Sequence, residues 1–261
     1  MNIHGALDKI RDHAFVQRAM FSAVDIQKSL GDRAPTKIQP KYSRDPDEHE
    51  FFLLGVGHCI AELLTCCEHL EAIPFYISNY RETPSMRKAG INRHKHIVYH
   101  IEGHLVRTQA VFDRILKLVD AVFHLLNAPQ NCRETVVLKN LKVKRTRVPT
   151  ALKRLDKLLS PYAASRNEVV HHHAFKDDRL RVLEMFHIVA DMKASSADAQ
   201  RRDYSDIRKE LTEAIIREKK KEFLKFNLQL AQAIIAVLDT LEPHYDREER
   251  GLRLRLGKPA V

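Results

Sequence analysis

Residues 165–173 place an arginine, a side-chain amide and three imidazoles within nine positions. A histidine, whose ordinary pKa is about 6.5, can take the proton of a 2′-hydroxyl or give one to a leaving oxygen near neutral pH. An arginine stays charged and offers a fork of donors that matches a phosphate, so it can stabilise the negative charge that grows during cleavage. These are the groups that cleave RNA without a metal. The run reads Ser165-Arg166-Asn167-Glu168-Val169-Val170-His171-His172-His173.

A helical segment would orient these side chains in a defined way, because successive residues turn by about 100°. Asn167 and His171 then share one face, and His173 shares a face with Arg166. One helix does not easily supply both an acid and a base, whereas two copies facing each other would. The alternative is structural: Arg166 forms a surface ion pair with Glu168 or a later acidic residue, and the histidines form an exposed helix face that ends in a hinge.

The run Arg166-Asn167-x-x-x-His171 resembles the signature of HEPN domains, which are all-helical modules. In that family an arginine, usually followed by Asn, Asp or His, precedes a histidine by four to six residues. The segment Tyr99-His100-Ile101-Glu102, with Arg107 and Asp113-Arg114 beyond it, is also similar to the long helix of some bacterial members. The resemblance covers roughly residues 93–241, and the first 45 residues have no counterpart in it.

The resemblance implies a metal-independent endoribonuclease that acts as a homodimer on RNA, without a cofactor. Catalytic HEPN proteins are toxins of toxin–antitoxin pairs, abortive-infection proteins and RNA-targeting CRISPR effectors, so a toxin or phage-defence role and an antitoxin or other protein partner are expected. Carried over by position, Arg166 and His171 would be the catalytic pair and Asn167 would orient the motif. His172 and His173 also satisfy the longer spacings and are alternates. Some HEPN modules are not catalytic, so the alternative is a helical scaffold that binds a protein or nucleic acid.

Four histidines precede the motif on the predicted long helix, and three of them succeed one another at four-residue spacing. Such spacing can bind zinc or nickel. The favoured interpretation is a polar face at the dimer interface or near the active cleft, so no metal site is predicted. The residues are His94, His96, His100 and His104.

The four cysteines are interpreted as small apolar core residues, because none has CxxC spacing. A metal site built from His58-Cys59 and Cys66-Cys67-x-His69 is the less favoured alternative. The glycines are isolated apart from Gly55-x-Gly57, and signatures of phosphate-binding loops, kinases and serine hydrolases are absent. Nucleotide-dependent enzymes are therefore excluded.

The formal charge of +10 is local. Residues 138–160 carry a net +7 and residues 247–261 a net +3, and together they account for the whole excess. This basic stretch precedes the motif and is predicted to contact RNA phosphates, although such a run can also be only a solvated face. The predicted RNA-binding residues are Lys142, Lys144, Arg145, Arg147, Lys153 and Arg154.

The elements that must position these residues are predicted to be helices. Gly and Pro number only 8 and 10 in 261 residues, and residues 162–242 contain neither. Apolar residues at three- and four-residue spacing predict helices over about 6–30, 47–72, 93–126, 151–159, 161–175, 180–192 and 201–241. Residues 75–92 are assigned as a loop with room for a short strand, and residues 134–141 as a short element. Thr150 and Ser160-Pro161 are predicted to open separate helices.

These elements predict an all-α bundle of HEPN type, with long antiparallel helices and an additional N-terminal helix. The predicted divisions are 1–45 (N-terminal helix and linker, with prolines between residues 32 and 47), 46–245 (HEPN-like domain) and 246–261 (basic tail). No uninterrupted apolar run approaches the about 20 residues that span a bilayer, and the first 30 residues lack a signal-peptide core. A cytoplasmic protein without membrane contact is expected.

Overall fold

The structure is a computed structural model that describes residues 5–31, 44–172, 177–191 and 198–259, and these ranges form helices and no strand. The all-α prediction is confirmed. Short 3₁₀ turns occur at Asp8–Ile10 and Pro129–Asn131. The helices are α1 (Ala14–Ser29), α2 (Glu48–Tyr76), α3 (Pro84–Lys88), α4 (Arg93–Val122), α5 (Glu134–Lys139), α6 (Leu141–Lys144), α7 (Val148–His172), α8 (Asp178–Asp191) and α9 (Asp198–Arg255).

The chain divides into two compact units whose boundaries fall within the long helices α2, α4, α7 and α9. Unit 1 contains His69–Gln109 and Leu159–Leu228. Unit 2 contains Gly5–Glu68, Ala110–Leu158 and Gln229–Val261. The chain enters unit 1 along α2 and α7 and leaves it along α4 and α9.

Each unit has an apolar core that includes aromatic rings. In unit 1, the fully buried ring of His104 stacks on Phe223, with centroids 3.9 Å apart, and lies edge-on to Phe226. In unit 2, Tyr245 lies between Phe15 and Phe52, at centroid distances of 5.1 and 5.6 Å. These clusters bury apolar area and thereby stabilise the helices that carry them.

Side chains satisfy backbone groups where several helices begin. At the start of α2, the amide of Glu50 donates to the Asp47 carboxylate and the amide of Asp47 donates to the Glu50 carboxylate, both at 3.0 Å. Arg44 pairs with Glu50 through two 2.6 Å bonds. Thr83 caps α3 ahead of Pro84, and Asp177 accepts from the first amides of α8. Reciprocal caps of this kind satisfy the otherwise unpaired donors of a first helical turn.

Prolines do not end the helices where the sequence suggested they would. Pro74 lies inside α2, Pro161 inside α7 and Pro243 inside α9. The separate helices predicted on either side of Ser160-Pro161 are therefore wrong, because one helix runs through. Likewise, α9 continues to Arg255 through much of the segment predicted as a tail. A proline removes one helical hydrogen bond, but burial of the flanking turns can offset that cost.

Other boundaries also differ from the predictions. Helix α1 begins at Ala14, where the ring of His13 accepts from the amide of Phe15, and a 3₁₀ turn precedes it. The segment 75–92 contains the short helix α3 and no strand. Helix α4 ends at Val122 because His124 and Leu126 adopt positive φ. Most of the predicted proline-rich linker lies outside the described residues.

Among the described residues, two helices meet the length and composition of a membrane span, contrary to the expectation from uninterrupted apolar runs. They are Glu48–Tyr76 and the Tyr204–Arg255 part of α9. Half of the most apolar window of the first helix, and 44% of that of the second, are buried inside the protein. Mostly buried core helices pass the same test, so the two helices are weak support for a membrane location.

Two glycines of α2 provide a matched test of how α1 packs on α2. A Cβ added to Gly57 would overlap the side chain of Ala23, whereas a Cβ added to Gly55 would contact nothing. We expect Gly57→Ala to lower the free energy of unfolding by about 1–3 kcal/mol, and Gly55→Ala to raise it by about 0.5–1 kcal/mol through helix propensity. Urea unfolding followed by circular dichroism measures both. A Gly57→Ala protein as stable as Gly55→Ala would contradict this close packing.

Candidate functional site

Helix α7 carries the predicted catalytic motif in its part that belongs to unit 1. The guanidinium of Arg166 donates from Nη1 to Oδ1 of Asn167 at 3.0 Å. The Asn167 side chain is exposed and Arg166 is half-buried. Nε of Arg166 is buried and has no hydrogen-bond partner, and no ion pair of Arg166 occurs within the described part of the chain. The side chain of Glu168, the partner considered for a surface ion pair with Arg166, lies outside the described side chains. The buried Nε of Arg166 remains as a donor for a ligand.

The histidines of the motif fall at the end of α7. His171 lies in its last turn, five residues after Arg166, and His172 is its final residue. His173 lies outside the described residues. The helical backbone from Arg166 to His171 agrees with the geometry assumed for the motif, in which Asn167 and His171 share a face.

The turn of α7 that precedes the motif packs into the core of unit 1. The Tyr162 ring lies 4.5 Å from the Phe226 ring and 6.2 Å from the His104 ring. Burial raises the pKa of Tyr162 to about 12, so its hydroxyl stays neutral. Because Arg166 lies one helical turn after Tyr162, these contacts fix the direction from which the arginine projects.

Of the four histidines of α4, His96 and His100 contact each other and Tyr76, whereas His94 and His104 have other ring partners. The His94 ring neighbours the His187 ring, whereas a ring nitrogen of His96 lies 2.9 Å from the carbonyl oxygen of Tyr76. His100 stacks on the Tyr76 ring, and His104 is buried against Phe223. Burial lowers the pKa of His100 to about 4 and that of His104 to about 3.

No group of three or more His, Cys, Asp or Glu residues within the described ranges could hold a metal ion. The zinc or nickel site considered for the α4 histidines is therefore not formed there. The same finding applies to the site considered around Cys59, Cys66 and Cys67.

Cys66 and Cys67 are buried, as expected of core residues, whereas Cys59 and Cys132 are half-buried. Burial raises the pKa of the Cys59 and Cys132 thiols to about 11. All four cysteines are free thiols.

The basic stretch belongs to unit 2, and all of its six predicted RNA-binding side chains are exposed. Lys142, Arg145 and Arg147 line a groove of about 1020 Å³ together with Arg247 of α9. Lys142 lies 4.0 Å from Glu248, whereas Arg145, Arg147 and Arg247 form no ion pair with any described residue. The groove thus offers unpaired guanidinium groups to an anionic ligand.

Sequence reasoning missed the part that Arg247 takes in this groove and the rings that surround His96 and His100. The sequence shows the net charge of residues 247–261, but nothing in it indicates that α9 lies beside residues 141–147. Tyr76, whose ring contacts His100, is the last residue of α2, and Tyr80, whose ring contacts His96, lies in the segment predicted to be a loop. Only the folded chain brings them together.

Comparison with known protein families identifies one matching family model. The model of the Cthe2314-like HEPN family matches residues 54–245, from within α2 to the last third of α9. This range includes Arg166, Asn167 and His171 and excludes α1. Neither curated proteins nor solved structures match the chain significantly. Because the family match covers most of the sequence, the chain belongs to the HEPN family.

Proposed function

We propose that this protein is a metal-independent endoribonuclease that acts on RNA as a cytoplasmic homodimer, as a toxin or a phage-defence effector. HEPN proteins are commonly nucleases, which supports an RNase or defence-type function. The observation that carries the proposal is the hydrogen bonding of the Arg166 guanidinium. Its guanidinium is oriented by Asn167, yet its buried Nε has no partner among the described residues.

The chemistry follows from the two side chains. The 2′-oxygen attacks the adjacent phosphorus while the His171 imidazole takes its proton, and the P–O5′ bond breaks as a second imidazole, from the other copy in a dimer, protonates the leaving oxygen. Arg166 stabilises the charge on the phosphorane through its donors. The products are a 2′,3′-cyclic phosphate and a 5′-hydroxyl, and no metal or cofactor takes part.

Substrate binding is assigned to the exposed basic side chains of unit 2. Arg145, Arg147 and Lys142 would contact phosphates, with Lys144, Lys153 and Arg154 adding charge along the same stretch. Contacts to phosphates do not distinguish one RNA sequence from another. They also make the affinity for RNA fall steeply as the salt concentration rises. The basic residues therefore support RNA as the ligand, whereas the choice of cleavage position must come from other residues.

The direct test is cleavage of single-stranded RNA by the purified protein in EDTA. We expect 3′ ends that carry a 2′,3′-cyclic phosphate, because the 2′-hydroxyl is the nucleophile. A matched oligonucleotide with a 2′-deoxy sugar at the cleavage position should resist cutting. Cleavage that stops when EDTA is added would contradict the proposal.

The alternative, a non-catalytic HEPN scaffold, predicts a different outcome in the same assay. RNA or a protein would bind tightly, but the RNA would remain intact over a long incubation. Sedimentation of the protein over a range of concentrations tests the homodimer separately. A monomer that cleaves RNA would refute the two-copy site while leaving the chemistry of Arg166 in place.

A further inference from the structure

Six aromatic rings form one connected cluster in unit 1, between the end of α2 and the start of α4. We name it the aromatic platform. His100 is its centre, because it stacks on Tyr76 at a centroid distance of 5.6 Å and contacts Tyr99 at 5.4 Å and His96 at 4.4 Å. The members are Phe75, Tyr76, Tyr80, His96, Tyr99 and His100.

The platform exposes its largest rings to solvent. Tyr99 is 67% exposed, Phe75 63% and Tyr76 49%. Single exposed apolar residues are ordinary, but a contiguous group of exposed rings marks a binding surface. Nothing in the described part of unit 1 covers these three rings, so they are available to a ligand.

Contacts between the two helices hold the platform in shape. A ring nitrogen of His96 lies 2.9 Å from the carbonyl oxygen of Tyr76, which ties the end of α2 to α4. The Arg93 guanidinium lies over the Tyr80 ring at 5.5 Å and donates to the carbonyl oxygens of Ser78 and Tyr80. The rings are thus preorganised, which reduces the entropic cost of binding.

The charge around the platform is positive. Residues 77–100 contain five Lys and Arg against Glu82 alone, a net of +4. Arg87 pairs with Glu82 at 3.0 Å. Arg81 and Lys88 are exposed and form no ion pair with any described residue. In a twofold self-contact this surface would meet its own positive charge, whereas phosphates would neutralise it.

The platform and the motif share a core contact. Tyr162, one turn before Arg166 on α7, neighbours His104, and His104 lies one turn after His100 on α4. Both features therefore belong to adjacent turns of helices that pack together within unit 1.

We propose that the aromatic platform binds single-stranded RNA by stacking unpaired bases on Tyr99, Phe75 and Tyr76, while Arg81 and Lys88 contact phosphates. Every base has a flat face that can stack on such rings, so the site is tolerant of sequence but requires bases that are not paired. A lowered pKa keeps His100 neutral at pH 7, so its ring adds no charge to the stack. The proposal rests on the proposed function for its choice of RNA, and it adds that the substrate is unpaired RNA.

Binding without cleavage tests the platform. We would use the full chain with Arg166→Ala, so that RNA stays intact, and measure fluorescence anisotropy with a labelled oligoadenylate and with an RNA duplex. Tyr99→Ala in this background should weaken oligoadenylate binding roughly five- to hundredfold, the range expected for one lost stacking contact. Tyr99→Phe should retain binding, and duplex binding should change little.

Phe21→Ala is the matched control, because Phe21 is 69% exposed on α1 in unit 2. It should leave oligoadenylate binding unchanged. Tyr99→Ala binding that equals the parent would overturn the proposal. A second result would also overturn it: Tyr99→Ala loses RNA binding and sedimentation shows that its oligomeric mass has changed. The platform would then be a contact between copies of the chain.

The outcomes for the platform and for catalysis are separable. If the unmodified protein fails to cleave RNA but the Tyr99→Ala protein loses oligoadenylate binding, the platform stands and the nuclease assignment falls. If the unmodified protein cleaves RNA and Tyr99→Ala binds as tightly as its parent, the nuclease stands and the platform falls.

Discussion

Arg166→Ala is expected to reduce RNA cleavage by about a hundredfold or more, because the variant loses the preorganised donors that stabilise phosphorane charge. The fold should persist, since Arg166 is only half-buried and its one described hydrogen bond goes to the adjacent Asn167. Initial rates on single-stranded RNA in EDTA measure the effect, and circular dichroism checks the fold. Arg166→Lys keeps the charge but not the fork of donors, so it should recover only part of the rate.

Arg217→Ala is the matched control, because Arg217 is an exposed arginine of α9 in the same unit and forms no ion pair with a described residue. It should cleave RNA at the unmodified rate. A comparable loss in Arg217→Ala would mean that removal of surface charge, and not the motif, explains the loss in Arg166→Ala.

Three single variants separate the histidines of the motif. His171→Ala should lose cleavage as Arg166→Ala does, because His171 shares a helix face with Asn167. His172→Ala and His173→Ala should retain most of the rate. Full cleavage by His171→Ala would contradict the assignment of His171, and a loss confined to another position would identify the acting imidazole.

Acid should destabilise the fold through His104. This residue is completely buried, and burial, aided by the charge of Lys219, lowers its pKa from about 6.5 to about 3. Below pH 6.5 the unfolded chain binds a proton that the folded chain does not, so stability is present above that pH and falls as pH decreases toward 3. From pH 7 to pH 5, His104 alone should cost about 2 kcal/mol of unfolding free energy, measured by urea titration at each pH.

His104→Phe tests the origin of this loss. Phenylalanine keeps a ring that can stack on Phe223 but cannot bind a proton, so the decrease in stability between pH 7 and pH 5 should become smaller by the contribution of His104. A decrease should remain, because burial also lowers the pKa of His100, to about 4, and the pKa values of His49, His94 and His244. His58→Gln, at a side chain 75% exposed, controls for the loss of an imidazole. An unchanged pH dependence in His104→Phe would contradict the role of His104.

The helices of this fold could be predicted where an apolar stripe was long and regular. The apolar stripe from Ile97 to Leu126 predicts α4 to within a few residues of its observed end at Val122, which depends on the positive φ of His124. The predictions failed at Pro74, Pro161 and Pro243. Local rules treat a proline as the end of a helix, but whether the helix continues depends on what the next turn packs against, and Tyr162 beside Phe226 is such a contact.

The candidate site was only partly predictable for the same reason. The helical placement of Arg166, Asn167 and His171 follows from local spacing, so it could be inferred from the chain alone. The aromatic platform requires the end of α2 to meet the start of α4, and its residues are spread over 26 positions, from 75 to 100, with a helix break between them. The four α4 histidines are apparent from the sequence because they are close together in it, whereas most of their ring partners are distant in sequence.

The interleaving of the two units limits how this protein can be modified or recombined. Neither unit is a continuous stretch of chain, since unit 1 is built from two described segments and unit 2 from the three around them. A truncation or gene fusion that keeps one unit whole must cut several helices of the other. Inserted segments should therefore be tolerated better in its exposed loops than within the helices that the two units share.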